Sequence, residues 1–187
     1  DVTVDAVKLM IGDGVKKLVE RGFEATGGIP SDEAVEALMG GFIEDYEANS
    51  TVLTRPFPGA KDALETLRKA GARMALCTNK PHGAALEILG EFGLDGYFEE
   101  VLGGDSLDGI KKPDPRFLLE TLKRLGVDPA HAVMIGDNQN DVDAARGAGL
   151  RVIVLGHGYP RIPPAELGAD ALIEHFDQLA AALDGLS

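Results

Sequence analysis

The chain has 187 residues, 44% of them hydrophobic, and a formal net charge of -13 at pH 7. This is enough for one ordinary domain with a hydrophobic core and a small appendage. The acidic balance disfavours nucleic acid and anionic membranes as partners, because both attract basic surfaces. No apolar run approaches the roughly 20 residues that span a bilayer, and the single cysteine can form no internal disulfide, so we expect a cytoplasmic protein.

The segment before residue 55 is predicted to be helical. Three apolar stripes have helical spacing, and Ser31 is a suitable N-cap for the third helix. Gly12-Asp13-Gly14 interrupts the first two stripes and could face a site in the rest of the chain. Prolines and a glycine in RPFPG, at 55–59, end this pattern. We therefore predict a helical domain over residues 1–54 and a second domain over residues 55–187.

From residue 60 onward, short apolar strands alternate with helices. This alternation predicts a parallel sheet covered on both faces, a Rossmann-like α/β fold. Ligands of such sheets bind beyond the carboxyl ends of the strands, so the residues that follow each strand are the candidate site. Strands are predicted at 73–77, about 97–102, 131–136, 151–155 and 170–173, and helices at about 60–70, 82–92, 115–125 and 139–148, with one more after residue 173.

Thr78 and Asn79 follow the first predicted strand, and Pro81 can start the next helix. A hydroxyl group and main-chain N–H groups at a helix N-terminus suit one oxygen of a phosphate. Alternatively, Thr78 merely caps the helix.

Lys112 lies in the segment KKPDP, at the junction between a loop and a predicted helix. Asp114 is a favourable N-cap and Pro115 suits the first helical position, so the helix begins just after the lysine. From there the ammonium group can neutralise a phosphate or a carboxylate, or else stay solvated on the surface. Lys111 is interpreted as a solvated surface lysine.

The strongest signal is GDNQND at 136–141. Gly136 allows a tight turn from strand to helix, and Asp137 and Asp141 can then face one site. Two close carboxylates repel each other unless a cation lies beside them, and Mg²⁺ prefers hard oxygen ligands. The alternative is that acids simply favour a helix N-terminus. The position of the pair beside Thr78 and Lys112 favours a metal site.

Cysteine and histidine chemistry is not expected. Cys77 lies inside a predicted strand and is interpreted as packing, since no histidine has a defined pairing with it. The histidines share no metal-ligand spacing, which argues against zinc; they are His82, His131, His157 and His175.

The order of the threonine, the lysine and the acidic pair on successive strand ends resembles the haloacid dehalogenase superfamily of magnesium-dependent phosphatases. Closer features resemble its phosphoglycolate phosphatase family: MIGDG at 10–14, RPFPG at 55–59, CTNKP at 77–81, GGDSL at 103–107, KPDP at 112–115 and GDNQNDVDAARGAG at 136–149. The resemblance covers almost the whole chain. It implies a Rossmann-like core and a small helical cap formed by residues 1–54.

In that family the nucleophile is an aspartate in an Asp-x-Asp-Gly-Thr motif, at the end of a central strand that precedes the cap. The 187 residues contain no such motif, since Asp1 and Asp5 have the wrong spacing. Without that strand, the two adjacent strands of the sheet would expose unpaired backbone N–H and C=O groups. We therefore expect the intact protein to have roughly thirty further residues, which form this strand and the first helix of the cap. The strand should lie between those that bear Thr78 and Asp137, and pairing of these two strands would contradict the expectation.

The resemblance implies a magnesium-dependent phosphatase that hydrolyses a small phosphomonoester, above all 2-phosphoglycolate, through an aspartyl-phosphate intermediate. It implies that Asp137 binds Mg²⁺, with Asp141 as a supporting residue or further ligand. Thr78 and Asn79 would hold a phosphoryl oxygen, and Lys112 would offset negative charge.

Other functions stay open at this stage. Related pyrophosphatases and sugar-phosphate phosphatases or mutases share the architecture, and a chain without the nucleophile can be an inactive phosphate-binding module. A signalling receiver domain is disfavoured, because its acidic pair precedes its lysine. The expected partner is a small phosphorylated molecule rather than nucleic acid or a membrane, and the expected assembly is a monomer or a homodimer.

Overall fold

The computed structural model describes residues 2–28, 31–158 and 161–186. Its helices and strands alternate after residue 60, as the hydrophobic pattern predicts. The α-helices are α1 Val4–Lys8, α2 Val15–Ala25, α3 Asp32–Asn49, α4 Ala60–Lys69, α5 His82–Glu91, α6 Pro115–Leu125, α7 Gln139–Gly147 and α8 Leu179–Asp184. The strands are β1 Ala75–Cys77, β2 Glu100–Leu102, β3 Val133–Gly136, β4 Arg151–Leu155 and β5 Ala171–Ile173.

The strands pair in parallel but form two separate sheets. β1 pairs with β2, with Cys77 opposite Leu102, and β4 lies between β3 and β5 in the second sheet. Within the described ranges, no backbone hydrogen bond joins β1 to β3. The pairing that would contradict an intervening strand therefore does not occur among these residues, and the strand itself stays a prediction.

One layer of helices covers both sheets. α6 packs against β1 and β2, α7 packs against β3 and β4, and the two helices pack against each other. In the second sheet, Val152 and Val154 point into this layer, whereas Ile153 and Leu155 point to the opposite face with α8. A strand buried on both faces explains the continuous apolar run, so the predicted Rossmann-like α/β fold is confirmed.

The helical segment before residue 55 has a thinner core. α2 and α3 pack together, and Val35 is almost fully buried. α1 is shorter than its apolar stripe suggests and buries no residue, because the chain turns at Gly12 and Gly14, whose φ angles are +118° and +89°. The predicted division at residues 54 and 55 falls between α3 and α4, and its status as a domain boundary stays a prediction.

Three strands were predicted to begin too early. β1 starts at Ala75, whereas 3₁₀ turns at Asp95–Tyr97 and Pro129–His131 precede β2 and β3. The second turn has a local cause, because Asp128 caps it and Pro129 fixes its first position. None of the helices in the described part of the chain is long and apolar enough to cross a membrane.

Candidate active site

Lys112 joins the carboxyl ends of the two sheets. Its Nζ donates to the carbonyl oxygen of Cys77, at the end of β1, and to Oδ1 of Asp141 on α7, each at 2.7 Å. The two side chains are only 11% and 5% exposed, which rules out the alternative of a solvated surface lysine. An ammonium group has three donors, so one N–H of Lys112 remains for a further acceptor.

Asp141 uses both of its carboxylate oxygens within the protein. Oδ1 accepts from Lys112, and Oδ2 accepts from the main-chain N–H groups of Asp137 and Asn138, each at 3.0 Å. The contact with Asn138, the N-cap residue, belongs to a capping box that starts α7. These contacts suit Asp141 to hold Lys112 and the Asp137 turn in place; a direct role in metal binding stays a prediction.

Gly136 is needed for a reason that the sequence did not show. It does not adopt a positive φ, so the turn from β3 to α7 does not depend on a left-handed glycine at this position. A Cβ atom on Gly136 would instead overlap the side chain of Asp141. A Cβ on Gly158, beyond β4, would likewise overlap the side chain of Asp137, which places that carboxylate at the same edge of the sheet. The glycines allow the acids to approach the backbone closely.

The end of β1 offers hydrogen-bond donors. Thr78 Oγ1 accepts from the N–H of Lys80 at 3.2 Å in a local turn, and its own hydrogen has no acceptor among the described residues. The main-chain N–H of Asn79 likewise makes no hydrogen bond within the described part of the chain. Thr78 does not cap α5, whose N-cap is Pro81. A hydroxyl and an N–H therefore lie side by side, as a phosphoryl oxygen would need.

The side chain of Asn79 has a structural role, because it binds two main-chain carbonyl groups. Nδ2 donates to the carbonyl oxygens of Gly12, at 2.9 Å, and Lys112, at 2.7 Å. Oδ1 is buried and finds no donor among the described residues. Both side-chain hydrogens are thus committed, so the backbone N–H is the group of Asn79 that suits a phosphate.

The GGDSL segment, which follows β2, positions the loop between β1 and α5. The carboxylate of Asp105 accepts from the N–H of His82, at 2.8 Å, where α5 begins. The N–H of Gly104 donates to the carbonyl oxygen of Lys80, and a Cβ on Gly104 would come within 2.5 Å of the Asn79 carbonyl oxygen. Close approach of these two backbones fixes the donors at the end of β1.

Residues 9–13 of the helical segment contact the core directly, so Gly12-Asp13-Gly14 does face the site. Asn140 Nδ2 donates to the carbonyl oxygen of Gly12 at 3.2 Å and to the carboxylate of Asp13 at 2.5 Å. Arg161 donates to the carbonyl oxygens of residues 9 and 11, at 3.1 Å each, and to Asp13. Sequence reasoning missed Asn140, although it lies inside GDNQND, and no signal pointed to Arg161.

Asp13 has a strongly perturbed acidity. Burial alone would raise the pKa of its carboxyl group, but hydrogen bonds from Asn140, Arg161 and Arg21 outweigh it and lower the pKa to about 2. Asp13 is therefore ionised at any physiological pH and holds three partners from both parts of the chain.

Cys77 behaves as the sequence suggested. Its thiol lies 3.0 Å from the hydroxyl of Thr121, and Cys77 packs against the main apolar cluster. Burial raises the pKa of the thiol, which disfavours the reactive thiolate. Packing against α6 accounts for this residue.

The residues present fit magnesium in part. Among the described residues, no three His, Cys, Asp or Glu side chains form a group that could hold a metal ion by themselves. Mg²⁺ commonly binds one or two carboxylates and completes its shell with water and substrate phosphate oxygens. Asp137, at the end of β3, is a carboxylate of this kind. The donor set fits Mg²⁺ provided that further oxygens come from elsewhere.

The chain is similar to known proteins in both sequence and structure. The family model for haloacid dehalogenase-like hydrolases matches residues 3–149. The chain is 40% identical over 172 residues to the phosphoglycolate phosphatase of Caulobacter vibrioides, covering 92% of this chain and 72% of that protein. A predicted phosphoglycolate phosphatase from Haemophilus somnus has a similar structure, with a TM-score of 0.89, 30% identity and coverage of 98% and 83%. CbbY from Rhodobacter sphaeroides, solved in complex with phosphate, gives a TM-score of 0.80 at 29% identity, with coverage of 97% and 83%.

The matched range contains all five residues predicted for the site, from Thr78 to Asp141. The solved structures share the α/β fold, and the sequence relatives share the class of enzyme that the motifs implied. The chain belongs to the haloacid dehalogenase-like hydrolases and, like its phosphatase relatives, is a phosphoric monoester hydrolase.

Proposed function

We propose that the protein is a magnesium-dependent phosphatase of small phosphomonoesters, that 2-phosphoglycolate is its substrate, and that the reaction passes through an aspartyl-phosphate. The observation that carries this proposal is the arrangement around Lys112. Its ammonium group joins the donor-rich end of β1 to the acidic turn after β3 and keeps one N–H for a substrate. The relatives named as phosphoglycolate phosphatases, at about 40% identity, favour this substrate over other phosphate esters.

Three groups would bind the phosphoryl oxygens. The hydroxyl of Thr78 and the N–H of Asn79 would each donate a hydrogen bond, and Lys112 would add charge. Asp141 would orient Lys112, because it accepts one of the lysine's hydrogens at 2.7 Å. Fixed donors of this kind stabilise charge that develops on the phosphoryl group without reorganising.

Asp137, with support from Asp141, would hold the metal ion. A magnesium ion held there would supply positive charge to offset that of the phosphoryl oxygens. The turn that carries Asp137 is held rigidly, since its N–H donates to the buried carboxylate of Asp141. This chain's contribution to the metal site is therefore a carboxylate held in place by backbone hydrogen bonds.

We propose that a strand carrying an Asp-x-Asp-Gly-Thr motif lies between β1 and β3, and that residues 1–54 form a cap over a core of residues 55–187. The two edges do not pair with each other in the described ranges, yet α6 and α7 cover both sheets as one layer. The first aspartate of the motif would attack phosphorus, and the second would protonate the leaving group and then activate water.

Phosphate release tests this proposal directly. The 187-residue chain, and a longer form in which a segment with the motif precedes it, would be assayed with 2-phosphoglycolate, pyrophosphate and a hexose phosphate, with and without Mg²⁺. We expect activity in the longer form only, with 2-phosphoglycolate as the best substrate. Turnover by the 187 residues alone would contradict the proposed external nucleophile. Inactivity of both forms would favour a phosphate-binding module, and preference for another substrate would reassign the specificity.

A further inference from the structure

A positively charged cleft lies beside the proposed phosphoryl site. It has a volume of about 780 Å³ and opens between the first turn of α2 and the loop that precedes α6. Lysines from both sides line it: Lys16 and Lys17 on α2, and Lys111 and Lys112 in the loop. A concentration of lysines is unexpected in a chain with a net charge of -13.

The acidic residues of the cleft are already neutralised. Asp13 pairs with Arg21 and Arg161, and Asp114 pairs with Arg116 at 2.5 Å. The third, Glu20, pairs with Lys17 at 2.5 Å. The acids that line the cleft therefore leave the charge of its other lysines uncompensated.

Two lysines keep their charge available. In the described part of the chain, the ammonium group of Lys111 makes no hydrogen bond or ion pair. Lys16 approaches the carboxylate of Asp32 only to 3.9 Å, and Asp32 is 92% exposed, so this pair contributes little. Lys111 belongs to the core loop and Lys16 to the helical segment, so an anion between them would contact both parts of the protein.

The position of Lys111 adds to the positive potential. Its Nζ lies 2.5 Å from where a Cβ of Gly14 would be, directly before α2. Gly14 provides no side-chain cap, and the first turn of α2 contains no acidic residue. The positive end of the helix dipole and the lysines thus repel one another, and a bound anion would relieve this repulsion. The interpretation of Lys111 as a solvated surface lysine does not account for this placement.

We propose that Lys111 and Lys16 bind the carboxylate of the substrate, so that the enzyme selects small phosphate esters that carry a second negative group. This inference rests on the proposed phosphatase function, because it places the phosphoryl group at Lys112, the neighbour of Lys111 in the same cleft. Lys112 would then bind the phosphoryl group of the substrate, and Lys111 and Lys16 would bind its carboxylate.

The test compares 2-phosphoglycolate with 2-phosphoglycolamide, which has the same shape without the carboxylate charge. The quantity measured is the ratio of kcat/KM for the acid to kcat/KM for the amide, in the form of the protein that shows turnover. We expect Lys111→Gln and Lys16→Gln each to lower this ratio by about tenfold, mainly through the KM of the acid, since one charge-assisted contact is lost. Lys111→Arg, which keeps the charge, should restore most of the ratio.

Lys123→Gln is the matched control, because Lys123 is an exposed lysine on α6 whose side chain is 79% accessible. An unchanged ratio in both the Lys111 and the Lys16 variants would overturn the inference while the phosphatase function stood. Equal losses on the acid and the amide would also overturn it, since the lysines would then act on the fold or on the phosphoryl site. If the unmodified protein hydrolysed neither ester, the proposed function itself would fail before any variant was compared.

Discussion

Replacing Asp141 by asparagine should destabilise the fold more than any other single acid substitution on α7. The side chain is 5% exposed, and its carboxylate accepts hydrogen bonds from Lys112 and from two main-chain N–H groups. The amide of Asp141→Asn has one oxygen for these donors and presents two hydrogens of its own. If this oxygen faces the two main-chain N–H groups, Lys112 keeps a buried charge and loses one of its two acceptors; if it faces Lys112, the two N–H groups meet a donor instead of an acceptor.

The expected magnitude follows from this geometry. Three hydrogen bonds to a charged group would each contribute about 1.5–3 kcal/mol, but such terms are not additive. Removing one partner of a buried ion pair typically costs about 3–5 kcal/mol, and we take this as the expected loss in the free energy of unfolding. For a chain of this length, that loss corresponds to a fall in Tm of roughly 10 °C.

Urea unfolding followed by circular dichroism measures this loss, and α7 offers a matched control. Asp143 lies two residues further along the helix and is exposed, and among the described residues its carboxylate accepts a hydrogen bond from Gln139 alone. We expect Asp143→Asn to change the free energy of unfolding by less than about 0.5 kcal/mol. The double variant Asp141→Asn with Lys112→Met should be less destabilised than the sum of the single changes. If Asp141→Asn cost no more than Asp143→Asn, the role of the pair in stabilising the fold would be refuted.

Three further changes test the contacts around the site. Asp13→Asn should lower the free energy of unfolding by about 1–2 kcal/mol at pH 7. Because the pKa of Asp13 in the folded protein, about 2, lies below the ordinary value of 3.8, this loss should persist above pH 4 and vanish as the pH falls towards 2. Arg161→Gln should speed limited proteolysis within residues 9–13, whose carbonyl groups it holds, and unchanged cleavage would argue against this tether. Gly136→Ala should cost about 1–3 kcal/mol in urea unfolding, since its methyl group would overlap Asp141, and a neutral effect would contradict the close approach.

The sequence predicted the fold class because its signals were local and consistent. The alternation of short apolar runs with helical patterns placed every strand after residue 60, and the pair Asp114-Pro115 located the start of α6 correctly. The starts of β2 and β3 were less accurate, since the last residue of the 3₁₀ turn before each strand, Tyr97 or His131, was included in the predicted strand. Alternation alone carries no information about where backbone pairing begins.

The grouping of the site residues was predictable for a similar reason. In a parallel sheet the carboxyl ends of the strands share one edge, so residues after β1 and β3 had to lie near each other. The contacts of Asp141 could not be read from the sequence, because spacing shows that two acids share an edge but not which groups bind them. Arg161 was also unpredictable: besides the Asp13 carboxylate, its partners are backbone carbonyls at residues 9 and 11, and such partners leave no trace in the local sequence.

The two acids of GDNQND therefore differ in kind, and this difference constrains how the site can change. The buried pair of Lys112 and Asp141 links two sheets that share no strand pairing in the described ranges, so it contributes to the fold and to the proposed phosphate site together. A substitution that weakens phosphate binding through Lys112 must also leave Asp141 buried without its cation. The contact between Asp137 and Asp141 uses the backbone N–H of Asp137, so replacing the Asp137 side chain leaves this hydrogen bond in place. Asp137→Asn should abolish the magnesium-dependent turnover proposed above and should cost less stability than Asp141→Asn, and an equal fall in Tm for the two variants would show that the two aspartates share the structural role.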